Sequence, residues 1–472
     1  MTSHELHTSP SKFPWKLATV LYGISFAPQL LSANSLFWDD WVMFDPQTGN
    51  LLEELYSVGG NAPWRKFIEM QLFQSSPSLF RIASFFIYFF LGYFIFRILK
   101  HSPHLNQVQL SVITLLFILL PVNSARISIA CSKYAIDAFF FFFAWFMYES
   151  SKKRRYQFLS LLFFFFSYST LPFPTFTILP LLYSFYIAQV RTIEIFKRQV
   201  LRSVPLILLP AIYLLLRQTY WAPTGGNAIM YTPQLLGLIR ALLFITLCSI
   251  PLLYCLMPLK YQRFGKSNIL VSVGVFSVSI AAFPYMVGGH LVDISDWLIA
   301  FIPNFSDWNS RHQLLLPLGF ALIIGGSLKL DSTKPLRWNS SPVLSTIVAC
   351  CVVLNVTFAQ EYFLDGKKQD SIMTAMANNE DLKNASALLI DDSAVRFNAR
   401  GRLIRSYEWE GMLQKVFGED SRKVSYLQYV NCAEFQPDAI LRISAPNGRL
   451  ESTLRRNVAI DISVEQINPC GN

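Results

Sequence analysis

Two adjacent carboxylates, Asp39 and Asp40, stand between Trp38 and Trp41, directly after an apolar stretch. A carboxylate within hydrogen-bond reach of a hydroxyl can act as a general base, and nearby apolar surface can raise a carboxyl pKa towards the working pH. Two neighbouring carboxylates can also orient a nucleophile, stabilise positive charge that develops on a substrate or help to hold a divalent cation. The sequence does not rank the two acids.

The amino-acid composition indicates the class of protein in which this acidic pair lies. Of the 472 residues, 53% are hydrophobic and only 15% are charged, and the mean hydropathy is +0.36. So little polar surface is typical of a protein whose solvent is lipid. The net charge of +10 lies in short connections between apolar blocks rather than on one face, so nucleic acid is not expected as a partner. The sequence predicts an α-helical polytopic membrane protein.

The apolar blocks are long enough to cross a hydrocarbon core, and we expect about eleven transmembrane helices. The predicted spans lie near residues 17–37, 79–99, 107–122, 134–149, 157–171, 173–189, 203–217, 234–257, 268–287, 313–328 and 342–359. Prolines interrupt the phenylalanine-rich pair between residues 156 and 190, so a re-entrant hairpin is an alternative there.

The basic residues orient the chain. Alternate connections collect Lys12 and Lys16, Arg97 and Lys100, Lys152–Arg155, Arg191 with Lys197 and Arg198, Lys260 with Arg263 and Lys266, and Lys329 with Lys334 and Arg337. Such connections are typically cytoplasmic. The N-terminus is therefore predicted inside and the C-terminus outside the cytoplasmic membrane, with a bacterial inner membrane as the default location.

The chain divides into a membrane module, residues 1–359, and an extracytoplasmic C-terminal domain, residues 360–472. Charges become dense after residue 360, and short apolar runs at 387–390, 424–430 and 458–464 resemble strands. With helix-like segments at 361–382 and 405–416, these runs predict a small α/β fold. Cys432 and Cys470 would then lie in an oxidising compartment, where they can form a disulfide.

The placement of the acidic pair resembles the GT-C superfamily of polytopic glycosyltransferases. Members of that superfamily take sugars from polyprenyl-phosphate donors and carry an acidic pair in the first outer loop, here residues 38–78. The resemblance implies a GT-C-like membrane fold that transfers a hexose or pentose, with inversion, from a polyprenyl-phosphate donor to a glycan or lipid-linked acceptor of the cell envelope. It also implies that Asp39 or Asp40 is the base. Alternatively, the tryptophans belong to an interfacial aromatic belt and the acids only terminate a span.

A departing polyprenyl phosphate is an anion, so cations and hydrogen-bond donors are expected at the outer ends of the spans. Arg311 is the preferred phosphate-binding residue, because it follows an aromatic-rich loop that resembles the late outer loop of the family. The remaining candidate substrate-binding residues are His312, Arg217, Trp38, Trp41, Tyr220, Lys133 and Arg126. For Arg217 and Arg311 the alternative is contact with lipid headgroups, and for Arg126 and Lys133 that alternative is favoured.

No residue pattern specifies a cofactor. His290 and His312 lack the companions of a zinc site, so no metal ligands are assigned. A divalent cation such as Mg²⁺ or Mn²⁺ at the acidic pair remains open, and no nucleotide is expected.

Two other functions compete with glycosyl transfer. A transporter or flippase of lipid-linked glycans predicts ionisable groups within spans, of which Asp137 is the main example. A polysaccharide polymerase on the outer face predicts arginine-rich outer loops, whereas these loops are poor in arginine.

Overall fold

A computed structural model describes residues 12–43, 59–62, 64–65, 76–102, 105–151, 153–187, 193–224, 235–256, 266–287, 308–328, 342–418, 422–429, 435–444 and 461–466. The membrane module contains the helices α1 Trp15–Phe26, α2 Asp40–Met43, α3 Pro77–Leu99, α4 Gln107–Leu119, α5 Ser132–Ser150, α6 Arg154–Ser167, α7 Pro172–Phe176, α8 Ile178–Ile187, α9 Ile193–Tyr220, α10 Leu235–Leu256, α11 Lys266–Val287, α12 Leu316–Ser327 and α13 Pro342–Ala377. Short 3₁₀ helices lie at Ala27–Ser32, Ser124–Ile127, Ile129–Cys131 and Trp308–Gln313.

Within these residues, six helical segments are long and apolar enough to cross a membrane: Pro77–Leu99, Ile129–Ser150, Ile193–Tyr220, Leu235–Leu252, Asn268–Val287 and Pro342–Ala377. The structure therefore agrees with a multi-pass membrane protein. Its apolar core is continuous across the bundle, and phenylalanine rings fill much of it, with Phe94 of α3 packing on Phe139, Phe143 and Phe146 of α5.

The predicted number of about eleven spans is not confirmed. The first predicted span is an α-helix of 12 residues continued by a 3₁₀ helix of 6 residues. The phenylalanine-rich pair forms three helices, α6 to α8, of which the longest has 14 residues. α4 and α12 are apolar but have only 13 and 12 residues. Helix breaks at prolines explain part of this shortening, since Pro172 begins α7 just after a turn.

The helix ends form two groups. Gln107 donates to the carbonyl of Lys12, Tyr183 to the carbonyl of Ile98, and Tyr148 to the carbonyl of Arg202. The first four predicted cytoplasmic connections, near residues 12, 100, 152 and 198, therefore share one end of the bundle. The opposite end, which we call the site end, contains residues 27–43, 121–131 and 308–313 together with the C-terminal unit. Which end faces the cytoplasm stays a prediction.

The C-terminal unit, residues 361–466, begins inside α13, because this 36-residue helix continues without a break past residue 360. A four-stranded sheet follows in the order β2 Lys423–Tyr426, β1 Ala387–Asp392, β3 Ala439–Ser444 and β4 Asp461–Gln466. β1 is parallel to both of its neighbours, and β3 pairs with β4 in antiparallel register. Helices α14 Glu380–Asn384 and α15 Ser406–Phe417 complete an α/β fold. The sequence predicted β1, β2, β4 and α15 but missed β3.

The core of this unit is continuous with the membrane module. Leu36, Trp41, Phe80 and Ile129 join the same apolar cluster as Trp409 and the buried side of β1. Gly411 lets α15 approach closely, since a Cβ there would lie 2.9 Å from the Trp41 ring. The C-terminal unit is thus packed directly on the segment that carries the acidic pair.

Candidate functional site

The acidic turn, residues 37–41, reverses the chain between the first 3₁₀ helix and α2. Trp38 adopts a φ of +52°, which is a strained conformation for a large residue that has a Cβ. Its N–H donates to Oε2 of Glu408 at 3.0 Å, and its ring lies 5.5 Å from that of Tyr362. Strain of this kind costs on the order of 1–3 kcal/mol and persists only where surrounding contacts enforce it. The turn is therefore held by the C-terminal unit.

Asp40 is fully buried, with 0% of its surface exposed, and its carboxylate is surrounded by donors. Oδ1 accepts from Ser128 Oγ at 2.6 Å and from the Ala130 N–H at 2.9 Å. Oδ2 accepts from the Phe37 N–H at 3.1 Å and from Arg81 at 3.4 Å. Burial raises the pKa of Asp40, whereas Arg81 and these hydrogen bonds oppose the rise. No lone pair remains for an acceptor hydroxyl, so Asp40 has the environment of a structural anchor.

Arg81 completes this anchor from within α3. Its Nε donates to the Ile127 carbonyl at 2.8 Å, and Nη1 donates to the carbonyls of Ser32 and Ala33 at 2.6 and 2.8 Å. Together with the ion pair to Asp40, these bonds join three chain segments around one buried guanidinium. A bidentate, always charged side chain suits such a junction better than lysine would.

Asp39 has different surroundings. Its side chain is only partly buried, and Tyr407 of α15 donates to its Oδ1 at 2.9 Å. In the described part of the chain, no other group hydrogen-bonds this carboxylate. Burial and the charge of Asp39 raise the pKa of Tyr407, so this phenol stays protonated and remains a donor. Asp39 is oriented by one hydrogen bond and keeps accessible lone pairs.

A buried ionic network supports the turn from the C-terminal side. Arg402 donates to both carboxylate oxygens of Glu408, at 2.7 and 2.9 Å, and to Asp365 of α13 at 2.8 Å. Burial alone would lower the pKa of Arg402, but the two carboxylates raise it, so the guanidinium stays charged. The same guanidinium lies 5.2 Å from the centre of the Trp38 ring. A second buried pair, Lys368 with Asp392, holds β1 against α13.

Two predicted cations lie near the acidic turn. Arg311, Lys133, Asp39 and Asp40 all lie near enough to Cys131 for their charges to act on its thiol. Ser310, next to Arg311, accepts the N–H of Ala125 at 2.8 Å and so fixes the 308–313 helix against the 124–127 segment. Two of the predicted anion-binding residues therefore lie in the same region as the acids.

Arg217 and Tyr220 belong to a neighbouring cluster. Arg217 donates to the Gly60 carbonyl at 3.2 Å, and Tyr220 is 73% exposed. This cluster contains the buried ion pair of Arg65 with Asp137, 3.3 Å apart. Ser169 and Thr170 also donate to Asp137, so this acid fixes the turn before α7.

Two of the candidate substrate-binding residues are buried. Trp38 and Trp41 are only 3% and 4% exposed and pack in the interior. Arg126 is also held by aromatic rings, with its guanidinium 3.7 Å from the centre of Phe26 and 4.4 Å from that of Tyr88.

Several residues singled out in the sequence fall outside the part of the chain that the structure describes. Cys432, Cys470 and His290 are outside the described residues, and of His312 only the backbone is described. Among the residues that the structure does describe, no group of three or more His, Cys, Asp or Glu side chains could hold a metal ion.

Comparison with known proteins does not assign a family. No protein-family model, no curated protein and no solved structure matches the chain. The resemblance to the GT-C superfamily therefore stays a prediction that depends on the acidic turn and on the plan of the chain.

Sequence reasoning missed the residues that differentiate the two acids. Arg81 carried a usable signal, because an arginine inside an apolar span requires a partner. No such signal exists in the sequence for Tyr407, Glu408 and Arg402, since they lie more than three hundred residues away from the acidic turn in the chain.

Proposed function

We propose that the chain is an integral-membrane glycosyltransferase that moves a sugar from a polyprenyl-phosphate donor to a cell-envelope acceptor, with Asp39 as the general base. One observation carries the proposal: of two adjacent acids, Asp40 is buried among donors, whereas Asp39 keeps accessible lone pairs. A purely interfacial acidic pair would have no reason to be differentiated in this way.

The chemistry assigns one role to each group. Asp39 takes the proton of the acceptor hydroxyl as the oxygen attacks the anomeric carbon. The bond from that carbon to the phosphate oxygen breaks, the electron pair stays on the phosphate, and the configuration inverts. Tyr407 orients Asp39 through its hydrogen bond. Arg311 and Lys133, which act on the same region, stabilise negative charge in the transition state.

Asp40 acts as a positioning residue. Its four hydrogen bonds, from Arg81, Ser128 and the backbone N–H groups of Phe37 and Ala130, fix the turn that contains Asp39. A divalent cation shared by both acids would have to displace these hydrogen bonds, so any cation would bind chiefly through Asp39.

Transport of a lipid-linked glycan is the second candidate. The observation that favours it is the buried ion pair of Asp137 with Arg65, since Asp137 lies within a segment that could cross a membrane. Both functions use a lipid-linked sugar, but only the transferase breaks its glycosidic bond.

A transfer assay tests the proposal. The purified full-length chain in lipid nanodiscs is incubated with a panel of radiolabelled polyprenyl-phosphate sugars and extracted envelope acceptors. We expect transfer by the wild type and a loss of about 10²- to 10⁴-fold in Asp39→Asn. Asp370→Asn removes an exposed carboxylate of α13 and serves as the matched control.

The two candidates give different outcomes. Transfer that is unchanged in Asp39→Asn contradicts the assignment of the base. The same protein is also reconstituted into vesicles. If intact lipid-linked sugar crosses the bilayer there without any cleavage, the result contradicts the transferase and supports the transporter.

A further inference from the structure

A cleft lies at the site end between α1, α3, α4 and the 121–126 segment. Counted out to its open mouth, its empty volume is ≈ 610 Å³. A smaller cleft of ≈ 280 Å³ adjoins it beside Arg81. Phe26, Gln29, Tyr88 and Arg126 line both, so Arg126 stands at their junction.

Arg126 differs from Arg81 and Arg402, the two arginines that hold the acidic turn. Arg81 pairs with Asp40, and Arg402 pairs with Asp365 and Glu408. In the described part of the chain, Arg126 has no carboxylate within 4.0 Å, and its one hydrogen bond goes from Nη2 to the hydroxyl of Tyr22 at 3.0 Å. A guanidinium offers five N–H donors, and removing it from water is costly unless an anion compensates. The missing counter-ion indicates a site for an anion.

Asn123 supplies a second, independent indication. Its side chain is 9% exposed and lines the larger cleft. Nδ2 donates to the hydroxyl of Tyr88 at 3.3 Å, whereas the buried Oδ1 has no hydrogen-bond partner among the described residues. A buried acceptor left unpaired costs about 1–3 kcal/mol. A ligand hydroxyl that donates to this oxygen would satisfy it.

Most of the remaining wall of the cleft is apolar, and Gln29, Ser124 and Asn355 are its other polar residues. Leu91, Phe117, Ile118 and Phe142 face the cavity. The helices that flank it expose apolar side chains on the outside of the bundle, among them Ile24 of α1 at 53% and Phe86 of α3 at 53%. The cleft therefore combines one unneutralised cation, one free acceptor and a surface suited to a hydrocarbon chain.

We infer that this cleft binds the phosphate end of the lipid-linked sugar, with Arg126 contacting the phosphate and Asn123 Oδ1 accepting a hydrogen bond from a sugar hydroxyl. The inference rests on the proposed function and deepens it, because it assigns the ground-state phosphate to Arg126 rather than to Arg311. The 124–131 segment connects the cleft to the acidic turn, since Arg126 lies two residues before Ser128, which donates to Asp40.

Direct binding tests the inference without any turnover. Polyprenyl monophosphate and a polyprenyl-phosphate sugar are titrated onto the full-length protein in nanodiscs of zwitterionic lipid, and bound ligand is measured. We expect Arg126→Gln to weaken both ligands by at least about tenfold and Arg126→Lys to restore part of the affinity. Asn123→Leu should weaken only the ligand that carries a sugar.

A matched control is Arg155→Gln. Arg155 also lies over a tyrosine ring, 4.9 Å from the centre of Tyr156, but it is exposed and belongs to the opposite end of the bundle. Its substitution should leave both affinities unchanged. The unfolding temperature of each variant, measured on the same samples, shows that the compared proteins are folded.

Other results would overturn the inference. Equal binding to the wild type and Arg126→Gln, with both folded, removes Arg126 from the site. Arg126-dependent competition by inorganic phosphate alone, or by phosphatidylglycerol at equal strength, identifies a general anion or bulk-lipid site instead. Failure of the proposed function gives another pattern: binding depends on Arg126, but no sugar is transferred.

Discussion

The contact between the acidic turn and the C-terminal unit differs from the Arg126 cleft in how buried charge is neutralised. In the contact, Arg402 meets two carboxylates and Lys368 meets Asp392, so every one of these cations has a protein partner. In the cleft, the contacts of the Arg126 guanidinium with described residues are aromatic rings and the hydroxyl of Tyr22. Fully paired charges fix a geometry, whereas an unneutralised charge beside an open volume leaves a position for a ligand.

Replacing one arginine by methionine in each region should give the largest difference in stability between the two regions. Arg402→Met leaves Asp365 and Glu408 buried without a counter-ion, which should lower the free energy of unfolding by about 3–5 kcal/mol. Arg126→Met leaves no carboxylate unpaired among the described residues. It removes cation–π contacts and one hydrogen bond to Tyr22, so its cost should be smaller, about 2 kcal/mol. Denaturant unfolding of the detergent-solubilised protein measures both. Equal losses in the two variants would show that the regions do not differ.

A smaller effect is expected where α15 touches the acidic turn. Gly411→Ala places a Cβ about 2.9 Å from the Trp41 ring, and overpacking of this kind should cost about 1–3 kcal/mol and lower sugar transfer. Gly23→Ala is the control, because a Cβ at that position in α1 meets nothing within 4 Å. Thermal unfolding and transfer are measured together. A fully active Gly411→Ala protein would mean that the position of α15 does not matter to Asp39.

The smallest effect concerns a charge outside both regions. The exposed Asp438 accepts hydrogen bonds from Ser386 Oγ and from the backbone N–H groups of Ser386 and Ala387, and these bonds lower the pKa of Asp438. A depressed folded pKa stabilises the protein above the unfolded value, about 3.9, and this contribution is lost as the pH falls through the folded value. Asp438→Asn should therefore reduce the difference in unfolding temperature between pH 5 and pH 3. If the difference in unfolding temperature is unchanged, Asp438 does not contribute to the loss of stability at acid pH.

The sequence predicted the features that depend on local pattern. Apolar blocks indicated the long helices, and alternating short runs indicated β1, β2 and β4. It did not predict the shortened helices, because the ends of α1 at Phe26 and of α6 at Ser167 are fixed by packing and turn geometry rather than by apolar content. β3 was missed because Arg442 interrupts its short apolar run.

The site was predictable only in part, for the same reason. The acidic pair was visible because its two members are neighbours in the chain. Their unequal surroundings depend on Arg81, Ser128 and Tyr407, which only the folded chain brings to the turn. The burial of Trp38 and Trp41 likewise depends on the C-terminal unit, which the sequence presented as a separate outer domain.

The most direct test of the roles of the two acids compares Asp39→Asn with Asp40→Asn. Two quantities are measured on the same samples, the rate of sugar transfer and the unfolding temperature. We expect Asp39→Asn to unfold like the wild type and to lose transfer, and Asp40→Asn to unfold at a lower temperature because its carboxylate anchors Arg81 and the 128–130 backbone. A stable Asp40→Asn protein that lacks transfer, beside an Asp39→Asn protein that retains it, would contradict the assignment of the two acids.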